Sequence, residues 1–300
     1  MSLKYTLKKD DTGQEVARLQ KALKITADGK FGPKTEGAVK DYQEDHALVV
    51  DGLAGKRTLT SLGINVTAAT DLSSWNGTVD FEKIKAAGCP AAWIKLTEGT
   101  THQNPGREKK FESARKAGMI VGAYHFGRSD TYAGDPRDWE KEANNFLVQL
   151  EKVGCHSGDL VPVLDVEAGM KTDDNHNVNW CLNWLDHVGK ETNSTPMIYT
   201  ARFAWQLWLM RADKAALKKL LEYPVWYAAY IRKKRLVGPE AKLRGWKEWE
   251  VWQYTGHGES DGVKGRVDLN WIAGEQFDKV RIPCAWNANC DAPRPKRRKN

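Results

Sequence analysis

No stretch of this sequence stays apolar for the roughly eighteen or more residues that a membrane span needs, so no transmembrane segment is expected. The first residues, Met1–Gly13, turn polar at once and lack the apolar centre of a secretory leader. The chain is therefore expected to be made in the cytoplasm without a signal peptide and to reach any external substrate by another route, such as holin-type release. Five cysteines form no C-x-x-C pair, and seven histidines are scattered without an H-E-x-x-H or related spacing. Both absences speak against a zinc amidase or peptidase, and no metal or cofactor is expected. Cys89, Cys155 and Cys181 sit among apolar residues and read as small hydrophobes, while Cys284 and Cys290 are close enough in sequence to close a small loop in an oxidising compartment. Basic residues form no recurring patch inside the chain, which argues against nucleic acid as a partner. Of the net charge of +7, five positive charges (Arg294, Lys296, Arg297, Arg298 and Lys299) fall in the last seven residues. That tail is either a solvated end or a means of attraction to an anionic surface such as wall polymer or lipopolysaccharide. Nothing in the sequence calls for a second copy, and a monomer is expected.

Tryptophan is missing from the first 70 residues, although the chain has 13, the earliest at Trp75. This break in composition divides the chain into a small domain over 1–64, a linker at 65–69, a larger domain over 70–283 and the basic tail 284–300. In the small domain, Val16, Leu19, Gln20 and Leu23 recur at helical spacing, as do Ala38, Val39 and Tyr42. Asp28–Thr35 (DGKFGPKT) is echoed by Asp51–Thr58 (DGLAGKRT). Each copy offers an Asp-Gly turn, a hydrophobic anchor and a Thr placed to cap the next helix. The runs Gly13–Leu23, Asp28–Thr35 and Ala38–Gln43 resemble the peptidoglycan-binding domain type 1, a three-helix module, which implies peptidoglycan as the partner.

Beyond residue 69, short apolar runs alternate with amphipathic segments. Strands are predicted at Thr70–Ser73, Ala91–Leu96, Ile120–Phe126, Val161–Glu167, Met197–Thr200, Val225–Tyr230, Val251–Tyr254 and Val267–Leu269. Helices are predicted at Phe81–Ala87, Arg107–Ala117, Trp139–Val153 and Val178–Lys190, with a broken stretch across Arg202–Leu221. This alternation predicts an α/β fold with a parallel β/α barrel, irregular at its closing end where helices are missing. In such barrels functional groups gather where strands end.

The run Val161–Glu167 (VPVLDVE) carries the main chemical signal. Period-two geometry puts Val163, Asp165 and Glu167 on one face, with same-side neighbours about 6.5–7 Å apart. Two acids aimed into one interior are costly to bury unless they act. A glycosidase uses such a pair, one carboxylic acid to protonate the leaving oxygen and one carboxylate to stabilise the positive ring. Crowding raises one pKa, so that one acid stays protonated near neutrality. Alternatively, Asp165 caps the following helix or pairs with a Lys or Arg. Asp71 and Asp268 also fall at predicted strand ends, and a barrel could bring all four acids to one pocket.

The segments Asp71–Gly77 (DLSSWNG), Trp93–Gly99 (WIKLTEG), Gly122–Phe126 (GAYHF), Leu164–Glu167 (LDVE) and Val251–Tyr254 (VWQY) resemble, in order, glycoside hydrolase family 25, the Chalaropsis-type muramidases found in bacteria and phage endolysins. The resemblance runs from about residue 69 to 282. It implies a flattened barrel of about eight strands and five helices. It also implies that Glu167 is the general acid and that Asp165 stabilises developing charge or orients the substrate's N-acetyl group. Asp71 and Asp268 would complete the acid cluster, and Tyr124 would line the subsite of the attacked sugar. Leu96 departs from the family's usual Ala, and Thr100–Arg107 lacks its usual aromatic and aspartate.

Trp75, Tyr199, Trp226, Tyr227 and Trp252 fall near predicted strand ends, where ring faces can stack on sugars. Trp180, Trp184, Trp205 and Trp208 have helical spacings and read as packing residues. Among rival enzymes, the chitinase pattern D-x-D-x-E would need an acid at position 163, where Val163 stands. A cysteine transpeptidase lacks a motif around Cys155-His156. A silent wall-binding protein would have no need for the four acids.

Overall fold

The computed structural model describes residues 6–129, 135, 137–171, 173–230, 245–246 and 248–283. The N-terminal module comprises α1 (Gln14–Ala22), α2 (Pro33–Asp45) and α3 (Lys56–Ser61). Val16, Leu19, Phe31, Val39 and Leu59 form its apolar interior. The sequence echo is a true structural repeat, but its threonines do not cap. Gly32 and Gly55 occupy the cap positions without side-chain bonds, and Pro33 opens α2. Thr35 and Thr58 instead lie buried inside the first helical turns. Gln20 Nε2 donates to Asp28 (2.7 Å) and Thr35 (2.9 Å). Gln43 Nε2 repeats the pattern with Asp51 (3.0 Å) and Thr58 (3.1 Å). Each glutamine carbonyl accepts from the turn glycine's N–H, Gly29 or Gly52. Both glycines have φ near +70°, the left-handed region that favours a residue without Cβ.

The larger region is built on β1 (Val66–Leu72), β2 (Ala91–Glu98), a two-residue β3 (His102–Gln103), β4 (Ile120–Phe126), β5 (Val163–Val166), β6 (Met197–Ala201), β7 (Val225–Ala228), β8 (Val251–Gly258) and β9 (Val267–Ala273). Strand order is β1-β9-β8-β7-β6-β5-β4-β2-β3, and β1 also pairs with β2. Eight strands therefore close a barrel, with β3 appended to β2. The expectation of a parallel barrel needs one correction. The pairs from β1 through β2 and β4 to β8 are parallel, whereas β9 runs antiparallel to both β8 and β1. A short connection from β8 has room only to turn back, because a parallel return needs a crossover of a dozen residues or more. The expected linker at 65–69 is mostly strand as well. Val66 through Asp71 pair with Ala273 through Asp268.

Outside the barrel lie α4 (Phe81–Ala86), α5 (Arg107–Lys116), α6 (Asp138–Val153), α7 (Asp174–Thr192), α8 (Arg202–Trp208) and α9 (Lys214–Leu220). The predicted broken stretch resolves into the last two. Asp80, Asp173 and Asp213 cap α4, α7 and α9 by accepting backbone N–H bonds. Alternation along the strands separates two cores. Ile94, Val121, Leu164, Val166, Ile198, Val225 and Trp252 pack outward under the helices, while Ala69, Val163, Met197, Val251 and Ile272 fill the barrel. Trp93 and Trp226 meet inside it with ring centroids 4.7 Å apart. Gly122 makes this possible, since a Cβ there would come within 2.7 Å of the Trp93 ring.

The module rests on the barrel near the chain crossing, where the Arg18 guanidinium carbon lies 5.2 Å from the Trp249 ring centroid. Cys89 and Cys181 are buried free thiols and Cys155 is half-buried. Burial pushes the Cys89 thiol up to about 12. Cys284, Cys290 and the basic tail lie outside the described residues. No described helix is long and apolar enough to cross a membrane.

Candidate active site

The strands deliver four carboxylates to one end of the barrel. Asp71 sits near the C-terminal end of β1, Asp165 is third of four residues in β5, and Glu167 follows β5 directly. Asp268 is second in β9, and the reversal of that strand brings its start to the same end, where Asp71 and Asp268 are register partners. All four line one open cleft with Ser73, Trp75, Lys95, Tyr124, Phe126, Val163, Tyr199, Trp226, Tyr230 and Gln253. A larger cleft, about 460 Å³ against about 230 Å³, lies between the module and the opposite end of the barrel. Size does not select the site; the acid quartet does.

A chain of hydrogen bonds fixes the base of the cleft. Trp226 Nε1 donates to Asn270 Oδ1 (2.8 Å), and Asn270 Nδ2 donates to Asp71 Oδ2 (2.8 Å). Gln253 Nε2 donates to the same oxygen at 3.0 Å. Its carbonyl accepts from the hydroxyls of Tyr199 (2.9 Å) and Tyr230 (3.0 Å). These contacts orient the Gln253 amide, and Gln253 in turn holds Asp71. The Tyr199 hydroxyl also lies 3.4 Å from Glu167 Oε2.

Asp165 is held differently. Its side chain is buried, and Oδ1 has no hydrogen-bond partner. The expected alternatives of helix capping or ion pairing do not describe it. The following helix, α7, is capped by Asp173. Burial, then the neighbouring Glu167, drives the Asp165 pKa well above the ordinary carboxylate range, against the pull of Lys95. Burial also raises Glu167, opposed by its Tyr199 hydrogen bond and by Lys95. Asp71 rises through burial and the adjacent Asp268, opposed by Asn270 and Gln253. Asp268 rises to about 6 through burial and Glu167. All four carboxyls are thus raised above the ordinary carboxylate range, the direction that acid catalysis requires.

Of the aromatic candidates, Trp75 is 94% exposed on the short 3-10 turn Ser74–Asn76 at the mouth. Tyr124 and Tyr199 form walls, and Trp226 is a nearly buried floor. Trp252 is a correction. It is fully buried in the outer core, and its Nε1 donates to Ala229 O (2.8 Å). Tyr227 likewise packs in the outer core. Strand alternation explains both, because Trp226 and Gln253 face inward and their neighbours must face out. Residue-level reasoning gave no role to Gln253, Lys95, Phe126 or Tyr230. Two of them were legible, since Lys95 shares the inner face with Trp93, and Gln253 shares it with Val251.

Residues 70–263 match the model of glycosyl hydrolases family 25, and residues 12–62 match that of a peptidoglycan binding domain. The chain belongs to glycosyl hydrolase family 25. It is a glycoside hydrolase of the lysozyme and muramidase type carrying a peptidoglycan-binding module. Lysozyme M1 of Streptomyces globisporus is 27% identical over 228 residues, covering 73% of this chain and 72% of that protein. The bacterial lysozyme from Streptomyces coelicolor superposes with a TM-score of 0.59 at 26% identity, over 71% of this chain and 96% of that one. The CTP1L endolysin superposes at 0.58 with 25% identity, over 71% and 69%. The family 25 match runs from Thr70 in β1 through β8 and includes Asp71, Asp165 and Glu167, while β9 with Asp268 follows it.

Proposed function

We propose that the protein is an N-acetylmuramidase that cleaves the β-1,4 bond between N-acetylmuramic acid and N-acetylglucosamine in peptidoglycan, and that it serves as a phage endolysin in host-cell lysis. The observation that carries the bond cleavage is the convergence of Asp165 and Glu167 in one cleft, with Asp165 Oδ1 buried and unpartnered. Glu167, with its raised pKa, protonates the glycosidic oxygen. Asp165 faces the developing charge at the anomeric carbon, or accepts the N–H of the substrate's N-acetyl group so that its carbonyl attacks. Asp71, clamped by Gln253 and Asn270, and Asp268 keep the quartet's charge crowded and its protons retained. Tyr124 lines the subsite of the attacked sugar, and Trp75 offers an open ring face at the mouth.

Val163, where a chitinase-like site would need its first acid, lies in the apolar interior of the barrel. The endolysin reading is supported by the likeness to the CTP1L endolysin and by the pairing of hydrolase and wall-binding module. In that role the protein acts on the bacterial cell wall after release from the cytoplasm. Borohydride reduction of wall digests followed by mass spectrometry tests the bond. Muramitol at the new ends is expected; glucosaminitol, or new free amino groups, would overturn the muramidase assignment.

A further inference from the structure

Lys95 is the one basic side chain among the described residues lining the acid cleft. An ammonium beside a buried carboxylate with a free oxygen would ordinarily collapse onto it. Here it does not. Lys95 Nζ instead donates to Glu98 Oε2 at 2.7 Å. The other oxygen, Oε1, accepts two bonds from Arg128, from Nε at 2.9 Å and from Nη2 at 2.6 Å. Both cations also flank Phe126, with Lys95 Nζ 4.4 Å and Arg128 Cζ 5.0 Å from the ring centroid.

The backbone explains how Glu98 reaches this place. Strict alternation from Trp93 and Lys95 would put Thr97 inside and Glu98 outside. The register between β2 and β4 shifts between Lys95 and Thr97. Thr97 is thereby turned outward, where its hydroxyl bonds His125 Nδ1 (2.7 Å). Glu98 comes onto the inner rim, in one cross-strand row with Phe126, Asp165 and Tyr199. Arg128 is anchored from behind. Buried Glu142 on α6 accepts from the Arg128 backbone N–H (3.1 Å) and bonds His125 Nε2 (2.7 Å).

We propose that Glu98 is a positioning residue for hydrolysis, which, shared between Lys95 and Arg128, holds the Lys95 ammonium off Asp165 and so preserves the proton on the acid pair. This rests on the reading of Asp165 and Glu167 as the catalytic acids. The charged groups that meet here are Lys95 and Glu98 on β2, Arg128 after β4, and Asp165 and Glu167 of β5. Asp71 and Asp268 line the same cleft, Glu142 stands behind Arg128, and His102 is Glu98's register partner on β3. Lys95 pulls the pKa of both Asp165 and Glu167 down, whereas Glu98 pushes Asp165 up. Loss of the Glu98 charge therefore acts twice in one direction: it removes an anion and frees the cation.

The test uses the full-length protein, with new reducing ends counted on soluble glycan fragments across pH 4–8 and melting temperatures measured alongside. Glu98→Gln is expected to move the alkaline limb of the kcat profile to lower pH, on the order of one unit, so that its loss near neutrality shrinks on acidification. Arg128→Gln leaves Glu98 to Lys95 alone and is expected to move the limb the other way. It also serves should Glu98→Gln fold poorly. A limb left in place by Glu98→Gln, or moved the same way by both variants, overturns the proposal, because a merely structural tie lowers the folded fraction without displacing the limb. Undiminished hydrolysis by Glu167→Gln would instead defeat the catalytic reading itself, whatever Glu98 does.

Discussion

The two regions bury polar groups to opposite effect. In the N-terminal module, Gln20 and Gln43 are nearly inaccessible, yet each amide group finds several partners at 2.7–3.1 Å. The pattern repeats with the same spacing, Asp 8 and Thr 15 residues after each Gln. A satisfied and duplicated network of this kind specifies loop shape. In the barrel the buried carboxylates crowd one another, and Asp165 keeps an oxygen unpaired. Burial with satisfaction builds structure, whereas a buried carboxylate oxygen left unpaired in an open cleft carries a desolvation cost.

The sharpest way to break this comparison is to neutralise the barrel acids. Glu167→Gln should cut wall hydrolysis by roughly 10²–10⁴-fold, as removal of a general acid does. Asp165→Asn should be comparably severe through lost electrostatic stabilisation. Neither should lower the melting temperature, because each relieves like-charge crowding. Variants that hydrolyse walls normally but melt much earlier would show that the pair holds the barrel together instead.

The converse change belongs to the module. Gln43→Ala takes the side-chain partner from buried Thr58 and from the buried Gly52 N–H, and should destabilise the module by about 1–3 kcal/mol for each buried group left unpaired. Retention on purified sacculi should fall, while hydrolysis of soluble fragments stays unchanged. The module has no tryptophan of its own, so its unfolding is read by far-ultraviolet circular dichroism. An unaltered unfolding curve would demote the repeat to decoration.

The smallest effect is in pH, and its sign should differ between the regions. Asp268 is raised to about 6 from about 3.9 unfolded. Its contribution to stability is fully present below the unfolded value and is lost as pH rises through about 6. Asp28 in the module is lowered by its Gln20 hydrogen bond, the Lys30 backbone N–H and the Lys30 charge. Its small contribution is present above the unfolded value and is lost as pH falls through the folded one. Asp268→Asn should therefore flatten the decline in barrel stability between pH 4 and 7, and a decline as steep as in the unsubstituted protein would assign it to other groups.

Much of this protein is determined by local sequence. The apolar runs and their alternation place the eight barrel strands to within a few residues, and Asp165 and Glu167 fall on one face because strand side chains repeat every second residue. Tertiary structure decided what depends on partners distant in the chain. Asp71 and Asp268 become neighbours only because β9 runs backward between β1 and β8. No local signal reports strand direction across nearly the whole length of the chain. Trp252 was misplaced because an aromatic near a strand end suits a sugar platform or a helix-packing core equally well, and the choice follows from which face the barrel turns inward. Glu98 joins the acid row because one register shift after Lys95 reverses the alternation, and such a shift exists only between paired strands.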